Sequence, residues 1–445
     1  MKLKFSFYRT IGFPVIVILL NAVNSHLWSQ QVQTINNVDQ AINLAYKNNS
    51  SIISARLDKL QAQERVSEVY SDNLLPSVNL NSRFQRAIRK QVLDIGGQQF
   101  EVGSDNSFSN LIDVRESLPI LGTPVFAAIR IADYYEQTQE QNIIKTEIDV
   151  KKKVKDAYYS SLLAKSIVDI NKLTQKNSED NFIAVEKKYK IGTATEFDYL
   201  RAKVRLDNSN PQLSEAERNY QISRKILLNE IGLKDQQDIE VQGELTYDST
   251  EIMLTTDELI ENIAKDNIEI QQLEVLKNIN KELVKVDKAN YLPKLSVFAQ
   301  YTLFSNENDG QPILDYRFGN TLFIGVGLDW NLNLFRNSYK VKQSEIEVKK
   351  NDEQLAQLKQ GLKLRAESSI IALEDARERI SSRRKTVILA ERALELANAS
   401  YEAGVINQID VQAAELSLSE SRLTYLQAIY DYQIAKAELE KLLQK

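Results

Sequence analysis

The chain of 445 residues contains no cysteine and a single histidine, His26. The absence of cysteine excludes disulfides, thiol catalysis, thiolate metal sites and a lipid anchor on a cysteine. Histidine is the most frequent general acid or base, and zinc sites rely heavily on histidine and cysteine. No pair stands out among the 61 acidic residues that would support catalysis by carboxylates alone. We therefore predict that the protein is not an enzyme and holds no metal or cofactor.

Glycine and proline are also sparse, with 14 and 7 residues. Charged residues make up 26% of the chain and are spread in both signs. This composition favours long solvated helices over a loop-rich sandwich. The net charge of −5 and the lack of a basic patch in the sequence give no case for a nucleic-acid partner.

The N-terminus is typical of a signal peptide over residues 1–29. Lys2, Lys4 and Arg9 precede a short apolar run at 11–20, and cleavage would follow Ser25 or Ser29. The run is too short to cross a bilayer as a helix, although a retained anchor is the alternative. No later stretch approaches 18 apolar residues.

An internal repeat organises the chain. Residues 189–202 return 212 positions later as residues 401–414, and Gly192 then matches Gly404 while Asp198 matches Asp410. Each copy predicts a helix end, a glycine turn in the left-handed conformation and a helix restart.

The next helix would be capped by Thr193 or Thr195 in the first copy and by Asn407 in the second. Two ordinary helix–helix turns are the alternative. The shared register and the matching flanking strands favour two related helical hairpins instead.

The order of elements is predicted to repeat as well. The first repeat, 30–232, begins with a helix over 38–73 and two strands within 77–118 separated by a polar loop. It continues with a long helix over 120–189, a tip turn at 190–195 and a helix over 196–231. Pro211 is predicted to kink or break this last helix. The second, 256–445, contains a helix over 256–290, two strands within 294–335, a long helix over 339–401, a tip turn at 402–407 and a last helix. An irregular segment, 233–255, lies between them.

The helix lengths predict an elongated body. At about 1.5 Å per residue, a helix over 120–189 is roughly 105 Å long. The helices 38–73 and 196–231 together nearly match it and could stack end to end beside it. The last helix has two apolar seams, which suits a wall of helices with neighbours on both sides. A helix inside an ordinary bundle is the alternative.

The four strands alternate apolar and polar residues over roughly the length that crosses a bilayer obliquely. Val326, Leu328 and Trp330 lie on the apolar face and are candidates for contact with lipid. Open sheet edges are not tolerated in lipid and four strands cannot close a barrel, so two chains would give eight strands and three would give twelve. A small soluble sheet packed on the helices is the alternative.

The whole arrangement resembles the TolC family of outer-membrane efflux and secretion channels. The residues that carry the resemblance are the A-x-x-L-A-x-x-N-N pattern at 41–49, Leu75-Pro76 before a strand, the segment 325–335 and the two tip stretches. The resemblance implies a mostly α-helical protein that forms a homotrimer. A twelve-stranded membrane β-barrel, four strands per chain, would cross the outer membrane and continue into a periplasmic coiled-coil tunnel of a Gram-negative bacterium.

The same resemblance implies partners. The tips, with Gly192, Thr195, Gly404 and Val405, would dock a periplasmic adaptor protein that is bound to an inner-membrane pump of the RND or ABC type. Asp410 and Asp198 would lie at the periplasmic pore mouth, and 233–255 would form a belt around the tunnel. The tip departs from members that carry a latch arginine and a second aspartate, because those positions hold Ile406 and Ala413 here.

Our functional prediction is a passive outer-membrane exit duct for a tripartite efflux or type I secretion system. The alternative is a periplasmic coiled-coil scaffold without a pore.

Overall fold

The structure is a computed structural model. It describes residues 33–118, 124–233, 239–247, 258, 261, 263, 265, 267–308, 310 and 312–444. The predicted signal peptide lies outside the described residues, as does much of the predicted belt segment 233–255.

In chain order the elements are β1 (Gln33–Ile35), α1 (Val38–Asn48), α2 (Ser50–Leu74), β2 (Ser77–Arg86), β3 (Gln91–Ile95), β4 (Gln98–Val102), β5 (Asn106–Leu118), α3 (Val125–Lys190), α4 (Glu196–Ile231), β6 (Ile239–Val241), α5 (Ile268–Ala289), β7 (Lys294–Glu307), β8 (Gly319–Asp329), α6 (Leu334–Glu402) and α7 (Gln408–Leu442). A short 3-10 turn at Ile313–Asp315 precedes β8.

The prediction of one helix over 38–73 is wrong, because Asn49 divides it into α1 and α2. Asn49 has extended backbone angles, φ −65° and ψ 126°, and its side-chain oxygen accepts from the backbone N–H of Ser51. The residue therefore ends one helix and caps the next. Asn267 has nearly the same angles, φ −63° and ψ 128°, and caps α5 through Glu269. The two repeats share this junction.

Four strands form one antiparallel sheet in the order β2-β5-β7-β8. The first two come from the first repeat and the last two from the second. β2 and β8 are the edge strands, and each has one neighbour within the described chain.

The predicted polar loop between β2 and β5 is instead a β-hairpin. β3 and β4 pair antiparallel, with Ile95 opposite Gln98 across a two-residue turn. Gly96 and Gly97 both have positive φ, 67° and 87°. Such angles suit the tight turns that match the twist of paired strands.

The last strand ends earlier than its alternating pattern predicted. β8 stops at Asp329, and α6 begins at Leu334 rather than near Tyr339. The backbone N–H of Leu334 bonds to the carbonyl of Leu332 at 2.8 Å, so the chain turns here. Leu332 and Leu334 therefore lie in the passage from sheet to helix.

Two very long helices dominate the structure. α3 has 66 residues and α6 has 69, or about 99 and 104 Å at ~1.5 Å per residue. α1, α2 and α4 pack along α3, while α5 and α7 pack along α6, and α3 also contacts α5 and α7. The predicted end-to-end stacking of the helices within 38–73 and 196–231 beside the first long helix is confirmed.

Of the kink or break predicted at Pro211, the break is absent, because α4 runs through this residue as one helix. Pro211 and Asp207, whose carbonyl would otherwise receive the missing N–H bond, are both exposed. Water can therefore satisfy that carbonyl. Next to it, the Ser209 hydroxyl donates to the carbonyl of Leu206 at 2.7 Å.

The main apolar core lies at mid-length, where side chains of α1, α3, α4, α6 and α7 join those of the short parallel pair β1–β6. Side chains hold this segment: the Tyr158 hydroxyl donates to the carbonyl of Gln242 at 3.1 Å, and Lys165 donates to that of Val241 at 3.0 Å. The part of the belt segment that is described, 239–247, is therefore fixed against α3.

The single chain exposes 30344 Å² of surface. A compact chain of 50.8 kDa would expose only about 17,000 Å².

Within the described residues, no helix combines the length and hydropathy needed to cross a membrane.

Candidate functional site

The first tip joins α3 to α4. Gly192 has φ +78°, and its N–H donates to the carbonyl of Tyr189 at 3.0 Å. The N–H of Thr193 donates to the carbonyl of Lys188 at 2.9 Å. These two bonds are the glycine-terminated helix ending that the sequence predicted.

The second tip repeats this geometry between α6 and α7. Gly404 has φ +73°, its N–H donates to the carbonyl of Tyr401 at 3.0 Å, and that of Val405 donates to Ser400 at 2.9 Å. The two tips lie side by side, because Lys188 donates to the hydroxyl of Tyr401 at 3.1 Å.

Each following helix begins with a capping box. In the first tip, the Thr195 hydroxyl accepts from the N–H of Asp198, whose carboxylate accepts from the N–H of Thr195. In the second tip, Asn407 and Asp410 make the same reciprocal pair. Thr195 is therefore the cap of the two threonines considered, and both aspartates hold their tips in shape.

The two aspartates differ in their electrostatic surroundings. The hydrogen bond from the Thr195 hydroxyl holds the pKa of Asp198 below its ordinary value, and the charge of Arg201 adds to this effect. An Arg201 nitrogen lies 3.5 Å from the Asp198 carboxylate. Within the described residues, Asp410 has no cationic side chain at ion-pair distance. Its charge is the less compensated of the two.

Large apolar side chains are exposed at the tips. Ile191 and Phe197 of the first tip are 75% and 69% exposed, and Val405 and Ile409 of the second are 76% and 49% exposed. We call these four residues the apolar tip patch. Of the four, only Val405 was predicted from the sequence, although an apolar residue at a helix restart was a usable signal for Phe197 and Ile409.

At the other end of the molecule, one face of the sheet is apolar and exposed. Val326 and Leu328 are 67% and 61% exposed, and Trp330, just beyond β8, is 56% exposed. The indole N–H of Trp330 donates to the carbonyl of Tyr291 at 3.1 Å. Its polar edge is therefore satisfied by the chain while its ring faces outward.

The sheet and the tips thus stand at opposite ends of helices about 100 Å long. Within the described ranges, no three His, Cys, Asp or Glu side chains cluster as metal ligands would. Helices of this length with an exposed apolar sheet at one end and paired tips at the other define the class of long helical outer-membrane channels.

Residues 41–233 and 259–444 match the family described as outer membrane efflux protein. The chain belongs to the outer membrane efflux protein family. It is 20% identical to the outer membrane protein TolC of Vibrio cholerae over 428 residues, which cover 95% of this chain and 92% of that one. Members are channels of the outer membrane, and the helical part of this chain lies in the periplasm.

Solved structures share the fold. The CmeC outer membrane channel of Campylobacter jejuni superposes with a TM-score of 0.74 at 16% identity, covering 99% of this chain and 94% of that one. The open state of the MtrE outer membrane channel of Neisseria gonorrhoeae gives 0.72 at 16% identity, covering 92% and 88%.

Proposed function

We propose that this protein is the trimeric exit duct of a tripartite efflux or type I secretion system. It would conduct substrates passively from a periplasmic adaptor and an inner-membrane pump to the exterior. The observation that carries the proposal is the four-stranded sheet, which has one exposed apolar face and an open edge on each side. In lipid such edges must be paired, so a sheet that enters the membrane requires other copies of the chain.

Three copies would place β8 of each beside β2 of the next and close a twelve-stranded barrel. Four strands are too few to close alone. The choice of three copies rather than two follows from the family resemblance.

The helices also support an assembly of several chains. On α7, the apolar seam that includes Leu418 is buried within the chain, and Leu418 is 8% exposed. The second seam includes Leu416 and Leu423, which are 57% and 40% exposed. Ala437 of the same seam is buried within the chain, so the part with Leu416 and Leu423 is the one available for a neighbouring helix, which would extend the helical wall around a tunnel.

The apolar tip patch supports docking of an adaptor. Its four side chains, Val405 among them, lie close in sequence to Gly192, Thr195 and Gly404 and leave an uncovered apolar surface at the end of the helices. A helical hairpin with small and apolar side chains would bury it favourably. The pump behind the adaptor, of the RND or ABC type, would supply the energy.

At the same end, threefold repetition of Asp410 and Asp198 would set carboxylates around the periplasmic mouth. Carboxylate rings attract cations in a pore. Because Arg201 compensates Asp198, we assign the larger share of this field to Asp410.

The test is the conductance of detergent-purified trimer in a planar lipid bilayer. Stable single-channel steps are expected. A well-folded preparation that never inserts, and that alkali releases from membranes without detergent, would contradict the duct and support the scaffold without a pore.

A further inference from the structure

A polar cavity lies where the sheet passes into the helices. Its volume is about 560 Å³, and its lining includes Lys294 at the start of β7, Asp329 at the end of β8, and Arg336 and Lys340 in the first turns of α6. Lys294 and Arg336 lie 42 positions apart in the sequence, and the pairing of β7 with β8 brings them to one place.

Strand register shows on which face of the sheet the two charged strand residues of the lining lie; Trp330 and Leu332, which also line the cavity, follow the end of β8. Leu295 pairs with Leu328 on the apolar face, and Lys294 pairs with Asp329 one position away. Successive side chains of a strand point to opposite faces, so Lys294 and Asp329 belong to the polar face. In the duct proposed above, this polar face surrounds the lumen.

The cavity carries excess positive charge. Arg336 and Lys340 are four residues apart and share one side of α6. Of the four charged side chains that line the cavity, three are cations and one, Asp329, is an anion. Within the described part of the chain, none of the three cations lies in an ion pair.

Two lysines elsewhere on α5 and α6 are ion-paired. Lys288 pairs with Glu345 at 3.0 Å across α5 and α6, and Lys350 pairs with Glu347 at 2.7 Å. Within the described residues, Lys342 and Lys349 of α6 are likewise in no ion pair, so what distinguishes Arg336 and Lys340 is that they converge with Lys294 on one cavity.

Neutral donors add to the cations. The side-chain oxygen of Asn331 accepts a hydrogen bond from the N–H of Asn333 at 3.3 Å. The amide NH₂ of Asn331 has no hydrogen-bond partner among the described residues. Asn333 precedes α6 and makes no side-chain cap, so apart from the N–H of Leu334, which bonds to the carbonyl of Leu332, the first N–H groups of the helix are uncapped beside the cavity.

We infer that this cavity is an anion-binding site on the inner surface of the duct. It takes phosphate or carboxylate groups of solutes in transit, with Arg336 able to hold two oxygens at once and the lysines acting as point charges. The inference rests on the proposed function for its place in the lumen, but the binding itself requires only the folded chain.

The experiment uses inorganic tripolyphosphate as the probe. Single-channel conductance is recorded in neutral phosphatidylcholine bilayers while the probe is added, and its binding to the detergent-solubilised trimer is measured by calorimetry. We expect a block by the probe in wild type. In the double variant R336Q/K340Q the half-blocking concentration should rise at least about tenfold, since each lost charged contact is worth roughly that factor.

The matched control is K342Q/K349Q, which removes the same charge from α6. At about 100° per residue these lysines lie on the side of the helix opposite Lys340. The control should keep the wild-type block. Equal weakening in both variants, or no block and no calorimetric binding in wild type, would overturn the site.

Two further results separate the alternatives. If the wild-type protein forms no pore but binds tripolyphosphate through Arg336 and Lys340, the duct fails and the site stands. If added anionic phosphatidylglycerol displaces the probe, the site holds a lipid headgroup, and transit of solutes is overturned. Should R336Q/K340Q fail to assemble, K294Q provides the same test from the strand side.

Discussion

The side-chain amide of Asn49 donates to the main-chain oxygen of Glu230 at 2.8 Å, joining residues 181 positions apart. Asn49 is 6% exposed and stands between α1 and α2, while Glu230 lies in the last turn of α4. Gly232 follows with φ +80°, and a Cβ built on it would lie 2.3 Å from the carbonyl oxygen of Asn48. The helices that flank α3 therefore meet end to end at a junction without spare room.

Replacing Gly232 with alanine should destabilise the protein strongly. The left-handed backbone costs a residue with a Cβ about 1–2 kcal/mol, and overpacking against fixed backbone typically adds about 1–3 kcal/mol. Gly192→Ala is the matched control, because Gly192 also has positive φ, 78°, but has no atom within 4 Å of a built Cβ. Thermal unfolding of both variants measures the difference. Equal losses of stability in the two variants would show that the contact between the added Cβ and Asn48 is relieved at little cost.

Glu282 is a buried acid that links two helices. Its side chain is 7% exposed and lies 2.8 Å from Arg130 of α3 and 2.6 Å from Lys285 of its own helix. Burial raises the pKa of its carboxyl, but the hydrogen bonds from Arg130 and Lys285 outweigh burial and hold the pKa below its ordinary value of 4.5. The ionised form is therefore favoured in the folded state.

Glu282→Gln should lower stability at neutral pH by about 1–3 kcal/mol, the usual worth of hydrogen bonds to a charged group. A folded-state pKa below 4.5 stabilises the protein above that pH, and this contribution disappears as the pH falls through the lower folded value. Thermal midpoints of wild type and variant should thus converge in acid. Glu345→Gln, which breaks an exposed pair with Lys288, should change little at any pH. A difference that persists unchanged as the pH is lowered far below 4.5 would assign the effect to packing.

The helical framework was predictable from sequence because its signals are local. A glycine after each long apolar helical pattern and a capping residue before the next helix predicted both tips. α4 matches the predicted span 196–231. The break at Asn49 was missed because its cause is tertiary: the carbonyl of Glu230 satisfies the asparagine amide. The β3–β4 hairpin did have a local signal, the pair Gly96-Gly97 between alternating residues.

The candidate sites divide in the same way. Capping by Thr195 and Asn407 follows from short spacing, so the sequence could indicate it. The cation-lined cavity could not be predicted, since Lys294 and Arg336 meet only through the register of β7 with β8. Whether a charged side chain forms an ion pair depends on the neighbours that folding brings to it. A sequence shows only the total charge.

Introducing a charge into the apolar tip patch should abolish adaptor binding. Val405→Asp places a carboxylate on a side chain that is 76% exposed at the helix end, so the variant should fold and form trimers normally. Burial of this carboxylate under the adaptor would remove it from water, which costs several kcal/mol. Efflux by cells and co-purification of the adaptor measure the loss. Gln357→Asp adds the same charge far along α6 and should leave both unchanged; a Val405→Asp variant that still exports would contradict docking at this patch.

Neutralising the proposed carboxylate ring should weaken block by divalent cations. A cation about 10 Å from each carboxylate gains on the order of 1–2 kcal/mol per charge pair at a dielectric constant of ~20. Because the trimer would lose three carboxylates, Asp410→Asn should raise the half-blocking concentration by at least about tenfold in single-channel recordings. Asp198→Asn loses an equivalent capping box, but Arg201, 3.5 Å from that carboxylate, already compensates its charge, so the shift should be smaller. If both variants shift block equally, loss of tip geometry is the cause, and if neither does, the aspartates serve only as caps.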